Sequence, residues 1–120
     1  MDVEFIVRQR ELKRAFRRLS LRLPDESESS ADFVLFKVHD SALEILGQKT
    51  SEGLTVTVIH PGLASVPVPV FLGITRALLF YRGTTVRFAF SPEAVRINRT
   101  CFRHPSISVL TPLASVSQDR

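Results

Sequence analysis

The stretch VLFKVHDSALEIL, residues 34–46, decides the fold. Val34, Phe36 and Val38 alternate with Leu35, Lys37 and His39, and beyond Asp40 and Ser41 the alternation resumes with Leu43 and Ile45. A period of two is the mark of a half-buried strand, and two such runs around a short polar turn make a hairpin. With the turn at Asp40 and Ser41, Phe36 stands opposite Ile45 and Lys37 opposite Glu44. Both are favourable cross-strand neighbours, one pair apolar and one of opposite charge.

The pattern extends in both directions. Downstream, GLTVTVI (53–59) predicts a third strand, broken by His60, Pro61 and Gly62. Upstream, the polar run PDESESSAD (24–32) reads as a loop that follows a helix from Gln9 to Leu23, stopped by Pro24, with a short strand at Val3 to Val7 before it. The second half keeps this order. SVPVPV (65–70) is extended, its prolines pointing to an edge or a strand entry. VFLGITRALLFY (70–81) predicts a helix, TTVRFAF (84–90) and AVRINRT (94–100) a hairpin around Ser91, Pro92 and Glu93, and SISVL (106–110) a last strand.

Laid over each other with a shift of 52, the hairpins match Phe36, Val38, Leu43 and Ile45 to Phe88, Phe90, Val95 and Ile97. With a shift of 62, the helices match Leu12, Arg14, Ala15 and Phe16 to Ile74, Arg76, Ala77 and Leu78. The sequence therefore reads as two βαβββ units in one α+β domain, residues 1–112, with mainly antiparallel strands. Residues 113–120 form a tail expected to fray, with Leu113 and Val116 able to anchor part of it.

At 120 residues and 44% apolar content the chain can bury a core without a staple. One cysteine, Cys101, excludes an intrachain disulfide and is expected to be structural. The N-terminus lacks the basic segment and apolar run of a secretory signal, and no run reaches the length of a membrane span. The expected location is cytoplasmic.

Net charge is +4 and unevenly spread. Seven of the 16 basic residues lie between Arg8 and Arg22, and Asp25, Glu26, Glu28 and Asp32 follow them. On a helix, Leu12, Ala15, Phe16, Leu19 and Leu23 share an arc of about 100°, while Arg10, Lys13, Arg14, Arg17 and Arg18 fill about 140° on the opposite side. Glu11 is the only acid on this helix. Like charges on adjacent turns repel. A polyanion relieves that repulsion, and guanidinium groups suit phosphate; simple solvation and pairing with the acidic loop are the competing readings.

The stretches EFIVRQRELKRAF (4–16), VLFKVHDSALEILG (34–47), GLASVPVPVFLGITRAL (62–78) and TVRFAFSPEAVRIN (85–98) resemble one domain of the ring-shaped DNA sliding clamps, nearest to the N-terminal domain of the bacterial DNA polymerase III beta subunit. The resemblance covers residues 3 to 110 in order and pattern. It implies two helices side by side against a curved sheet, in a ring whose helices face the encircled duplex. Arg10, Lys13, Arg14, Arg17, Arg18 and Arg76 would then contact duplex DNA without reading bases. Bacterial clamps carry three such domains per chain and this sequence spans one, so a ring would need about six copies or other partners. The family's partner pocket belongs to later domains and maps onto no residue here.

The second helix departs from a DNA-facing element. Val70, Phe71, Ile74, Ala77, Leu78 and Tyr81 make one greasy side, yet Leu72, Leu79 and Phe80 lie on the other, beside Thr75 and Arg76. They either sit under neighbouring loops or form a candidate interface for self-association or a protein partner. Arg87 and Arg96 point out of the second hairpin with Arg99 and Arg103 nearby, a solvated face or a surface for an acidic protein. His39, His60, His104 and Cys101 lack metal-ligand spacing, and the isolated glycines form no phosphate loop. The expectation is a non-enzymatic domain without cofactor, metal or small-molecule substrate. Its alternative function is a protein-interaction or self-association module that keeps the fold without encircling DNA, using the second helix or a free sheet edge.

Overall fold

The structure, a computed structural model, describes residues 2–21, 33–47 and 50–111. The chain runs β1 (Val3–Arg8), α1 (Gln9–Ser20), β2 (Phe33–His39), β3 (Ala42–Leu46), β4 (Ser51–Thr55), β5 (Thr57–His60), β6 (Gly62–Pro67), α2 (Val68–Leu78), β7 (Thr85–Ser91), β8 (Ala94–Ile97), β9 (Thr100–Arg103) and β10 (Ser108–Leu110). The expected end of the first helix at Leu23 and Pro24, the acidic loop and the tail from 113 lie outside the described residues. Within them α1 closes earlier, at Ser20, whose hydroxyl donates to the Arg17 carbonyl at 2.9 Å.

The deciding hairpin forms in the expected register, with Phe36 opposite Ile45 and Lys37 opposite Glu44. Asp40 and Ser41 turn it with φ of 48° and 64°, the left-handed pair that matches strand twist. The repeat is also present, and it carries one more strand per unit than the βαβββ reading. GLTVTVI is two strands: buried Val56 interrupts it, its N–H donating to the Ser41 carbonyl, so that β4 and β5 belong to different sheets. AVRINRT is also divided, at Asn98, where φ is 54° and the amide donates to the Arg87 carbonyl.

The strands form two five-stranded sheets ordered β5-β1-β7-β8-β9 and β10-β6-β2-β3-β4. Advancing each strand number of the first sheet by five, cyclically, gives the second. Each unit places its first and last strands in one sheet and its middle three in the other, so the halves interlock. The prolines of SVPVPV mark a strand leaving for a helix. Pro67 ends β6, and Pro69 sits in the first turn of α2, where no backbone N–H is needed. β6 itself lies between β10 and β2, not at an edge.

Six phenylalanines tie the layers together. Phe16 of α1 meets Phe71 of α2 with ring centroids 4.7 Å apart and reaches Phe36 in one sheet (6.0 Å) and Phe88 in the other (6.1 Å). Phe36 also packs on Phe90 at 4.9 Å, and Phe5 stacks on Phe88 at 5.2 Å. All six are fully buried, with Leu12, Leu19, Leu43, Ile45, Ile74 and Leu78 around them. This shared core fixes which face of each helix turns outward.

Candidate nucleic-acid interface

Burial of Leu12, Ala15, Phe16 and Leu19 leaves Arg10, Arg14, Arg17 and Arg18 exposed and Lys13 half-buried. The start of α1 has no side-chain cap; the segment between α2 and β7 serves instead. The Gln9 N–H donates to the Thr84 carbonyl at 2.9 Å, and its side-chain amide donates to the Tyr81 carbonyl at 2.5 Å. Backbone carbonyls thus hold the helix start, with Arg8, Arg10 and Arg14 beside Gly83 and Thr84 around a shallow hollow.

The five cations differ in their surroundings. Arg18 is engaged across the domain: its Nε donates to both carboxylate oxygens of Glu52 on β4 at 3.0 and 3.1 Å, and its Nη2 to Oε1 at 2.7 Å. Those hydrogen bonds raise the Arg18 pKa, and the Glu52 charge adds to the effect. Arg8 pairs loosely with Glu11 at 3.8 Å. Among the described residues no carboxylate lies within ion-pair distance of Arg10, Lys13, Arg14 or Arg17. The sequence reading missed the Arg18 partner because Glu52 is 34 positions away in sequence.

On α2, Arg76 is exposed and Leu72 half-buried. Leu79 and Phe80, expected within the helix, form the turn that follows it and are 69% and 80% exposed, so they are not covered as core. Tyr81 turns the other way, its hydroxyl donating to the Ile97 carbonyl at 2.9 Å. A second open hollow lies on that side, lined in part by Phe80, Arg82, Arg99 and Thr100. Arg82 carried no signal in the sequence, since only the fold brings it near Arg99.

Arg87 and Arg96 point outward as expected, and Arg87 pairs with Glu4 on the neighbouring strand. Cys101 is exposed on β9 and not packed as a structural thiol. His39 lies 3.3 Å from Asp40 at the exposed hairpin turn, and His104 Nδ1 accepts from the Ser106 N–H. Among the described residues no cluster of His, Cys, Asp or Glu could hold a metal ion, and no helix is long and apolar enough to cross a membrane.

By sequence, no family model and no curated protein matches the chain. By structure, the chain is similar to bacterial sliding clamps. A C. crescentus beta sliding clamp superposes with a TM-score of 0.68 at 13% identity, over 93% of this chain and 31% of that one. A second structure of the DNA polymerase sliding clamp from Caulobacter crescentus gives 0.64 at 15%, over 91% and 30%. The sliding clamp (DNA polymerase III subunit beta) from Bartonella birtlesii, bound to griselimycin, gives 0.63 at 12%, over 92% and 30%. The chain has a clamp-like α+β fold and spans about a third of the length of these clamp chains.

Proposed function

We propose that this chain is a non-enzymatic clamp-like domain that contacts duplex DNA without sequence preference through the outward face of α1. The observation that carries the reading is the excess of positive charge on that face. Arg10, Lys13, Arg14 and Arg17 have no carboxylate in ion-pair reach among the described residues, on a helix whose opposite side is fixed in the core. Arg18, held by Glu52, adds to the local field more than to direct contact, and Arg76 offers a further cation from the neighbouring helix. No recognition helix or base-reading residue is invoked, so affinity rests on phosphates and falls steeply with salt. In this reading the chain works in the cytoplasm alongside DNA, and assembly of several copies turns weak contacts into retention.

The test is charge reversal at Arg14 and Arg17 together, Arg14→Glu with Arg17→Glu, assayed by retention on a duplex. Arg18 is left intact because its reversal would face Glu52. Loss of retention with an unchanged unfolding curve supports the reading, and unchanged retention rejects it.

A second reading is favoured by the exposure of Leu79 and Phe80: with Leu72 they form a self-association or protein-partner patch. Light scattering during size exclusion separates the cases. A mass near six chains, lost in Leu79→Lys with Phe80→Ser, fits a ring whose contacts include the patch. A monomer whose mass and fold are indifferent to those changes removes the patch from assembly.

A further inference from the structure

The segment between α2 and β7 has arginines on both flanks. On one side Arg8, Arg10 and Arg14 surround Gly83 and Thr84, and on the other Arg82 and Arg99 stand beside Phe80. The face of α1 therefore continues over this segment, as a basic track, to the turn between β8 and β9. The acids paired along the track have arginine partners, Glu52 with Arg18, Glu11 with Arg8 and Glu4 with Arg87. Arg82 and Arg99 have no carboxylate within ion-pair reach among the described residues.

The far end of the track is rigidly built. The Tyr81 hydroxyl binds the Ile97 carbonyl, so the end of α2 is fastened to β8. Asn98 is clipped to β7 twice, its N–H donating to the Arg87 carbonyl at 2.9 Å and its side-chain oxygen accepting from the Arg87 N–H at 3.0 Å. On this frame the exposed Phe80 lines one hollow together with Arg82 and Arg99. With the hairpins overlaid by 52 positions, Gly47 stands where Arg99 does, so the repeated hairpin does not demand a cation at that turn.

We propose that this end of the domain holds single-stranded nucleic acid, with one base stacked on Phe80 and the flanking phosphates on Arg82 and Arg99. The hollow is open and shallow. A flat ring on such a surface receives a planar base, whereas the apolar anchor of an acidic peptide needs a concave pocket. An aromatic platform flanked by cations is the chemistry by which unpaired strands are held regardless of sequence. The proposal adjoins the duplex reading of α1 and rests on it only for the part of the track that Arg10 and Arg14 supply.

The experiment measures binding of the full chain to a labelled twelve-nucleotide oligothymidine and to a duplex of equal length, by fluorescence anisotropy, with solution mass recorded for each variant. Phe80→Ala should weaken oligothymidine binding roughly five- to a hundredfold and leave duplex binding unchanged. Phe80→Trp should retain it. Arg82→Ala with Arg99→Ala should make the salt dependence for the single strand shallower by about 1.4 in log–log slope. Oligothymidine affinity that is absent, or indifferent to Phe80→Ala, overturns the proposal. So does polyglutamate that competes as well as a single strand of equal charge and loses its hold in Phe80→Ala, which would make the occupant an acidic peptide. A mass that falls in Phe80→Ala with unchanged oligothymidine binding assigns Phe80 to an interface and also overturns it. If Arg14→Glu with Arg17→Glu leaves duplex binding unchanged while the Phe80 effect persists, the duplex reading fails and this proposal stands.

Discussion

Arg18 and Glu52 are joined by two guanidinium nitrogens on one carboxylate, at 2.7 to 3.1 Å, linking the last turn of α1 to the edge strand β4. The Glu52 side chain keeps only 15% of its exposure and that of Arg18 keeps 52%. The pair therefore engages one cation of a face on which Arg10, Lys13, Arg14 and Arg17 have no carboxylate within ion-pair reach among the described residues.

Glu52→Gln should return that cation to the face. The expected outcome is tighter duplex binding with a salt dependence steeper by about 0.9 in log–log slope. Thermal unfolding should shift slightly downward, since the helix end loses a tether. Fluorescence anisotropy across a salt series checks the first effect and circular dichroism the second. An unchanged slope would mean that Arg18 reaches phosphate while still bound to Glu52, or that α1 is not the contact surface.

The two exposed and buried extremes among the phenylalanines should separate in urea. Phe16→Ala removes the ring shared by both helices and both sheets, and should cost about 3–5 kcal/mol, enough to unfold much of the population. Phe80→Ala should stay within about 0.5 kcal/mol of the parent, as expected for an exposed position. A small effect at Phe16 would contradict the shared core.

Gly62 begins β6 at φ of 152°, and a Cβ there would lie 2.7 Å from the Leu110 carbonyl oxygen of β10 and 2.7 Å from Val3 Cγ2. Gly62→Ala should cost about 1–3 kcal/mol, because the obstructing oxygen is backbone and cannot swing away. At Gly53 nothing lies within 4 Å of such a Cβ, so Gly53→Ala should be close to neutral by chemical denaturation.

Much of this architecture was legible locally. The Phe36–Ile45 register follows from period-two alternation and two turn-forming residues. The buried side of α1 follows from the spacing of Leu12, Ala15, Phe16 and Leu19. What was not legible depends on contacts distant in sequence. Val56 reads as one more residue of a strand, and only the neighbouring sheet makes it a crossing point. Asn98 did carry a signal, since asparagine tolerates positive φ, yet the apolar pattern ran through it. The Arg18–Glu52 pair and the meeting of Phe80, Arg82 and Arg99 required the finished fold.

The central claim is that α1 meets phosphate with about four cations, Arg10, Lys13, Arg14 and Arg17. The most direct measurement is the salt dependence of duplex affinity for the parent and for Arg14→Gln with Arg17→Gln, two neutral changes on exposed positions. The expected log–log slope is about −3.6 for the parent, falling to about −1.8 in the double variant. A parent slope near zero, or one that the two substitutions leave untouched, would contradict the account.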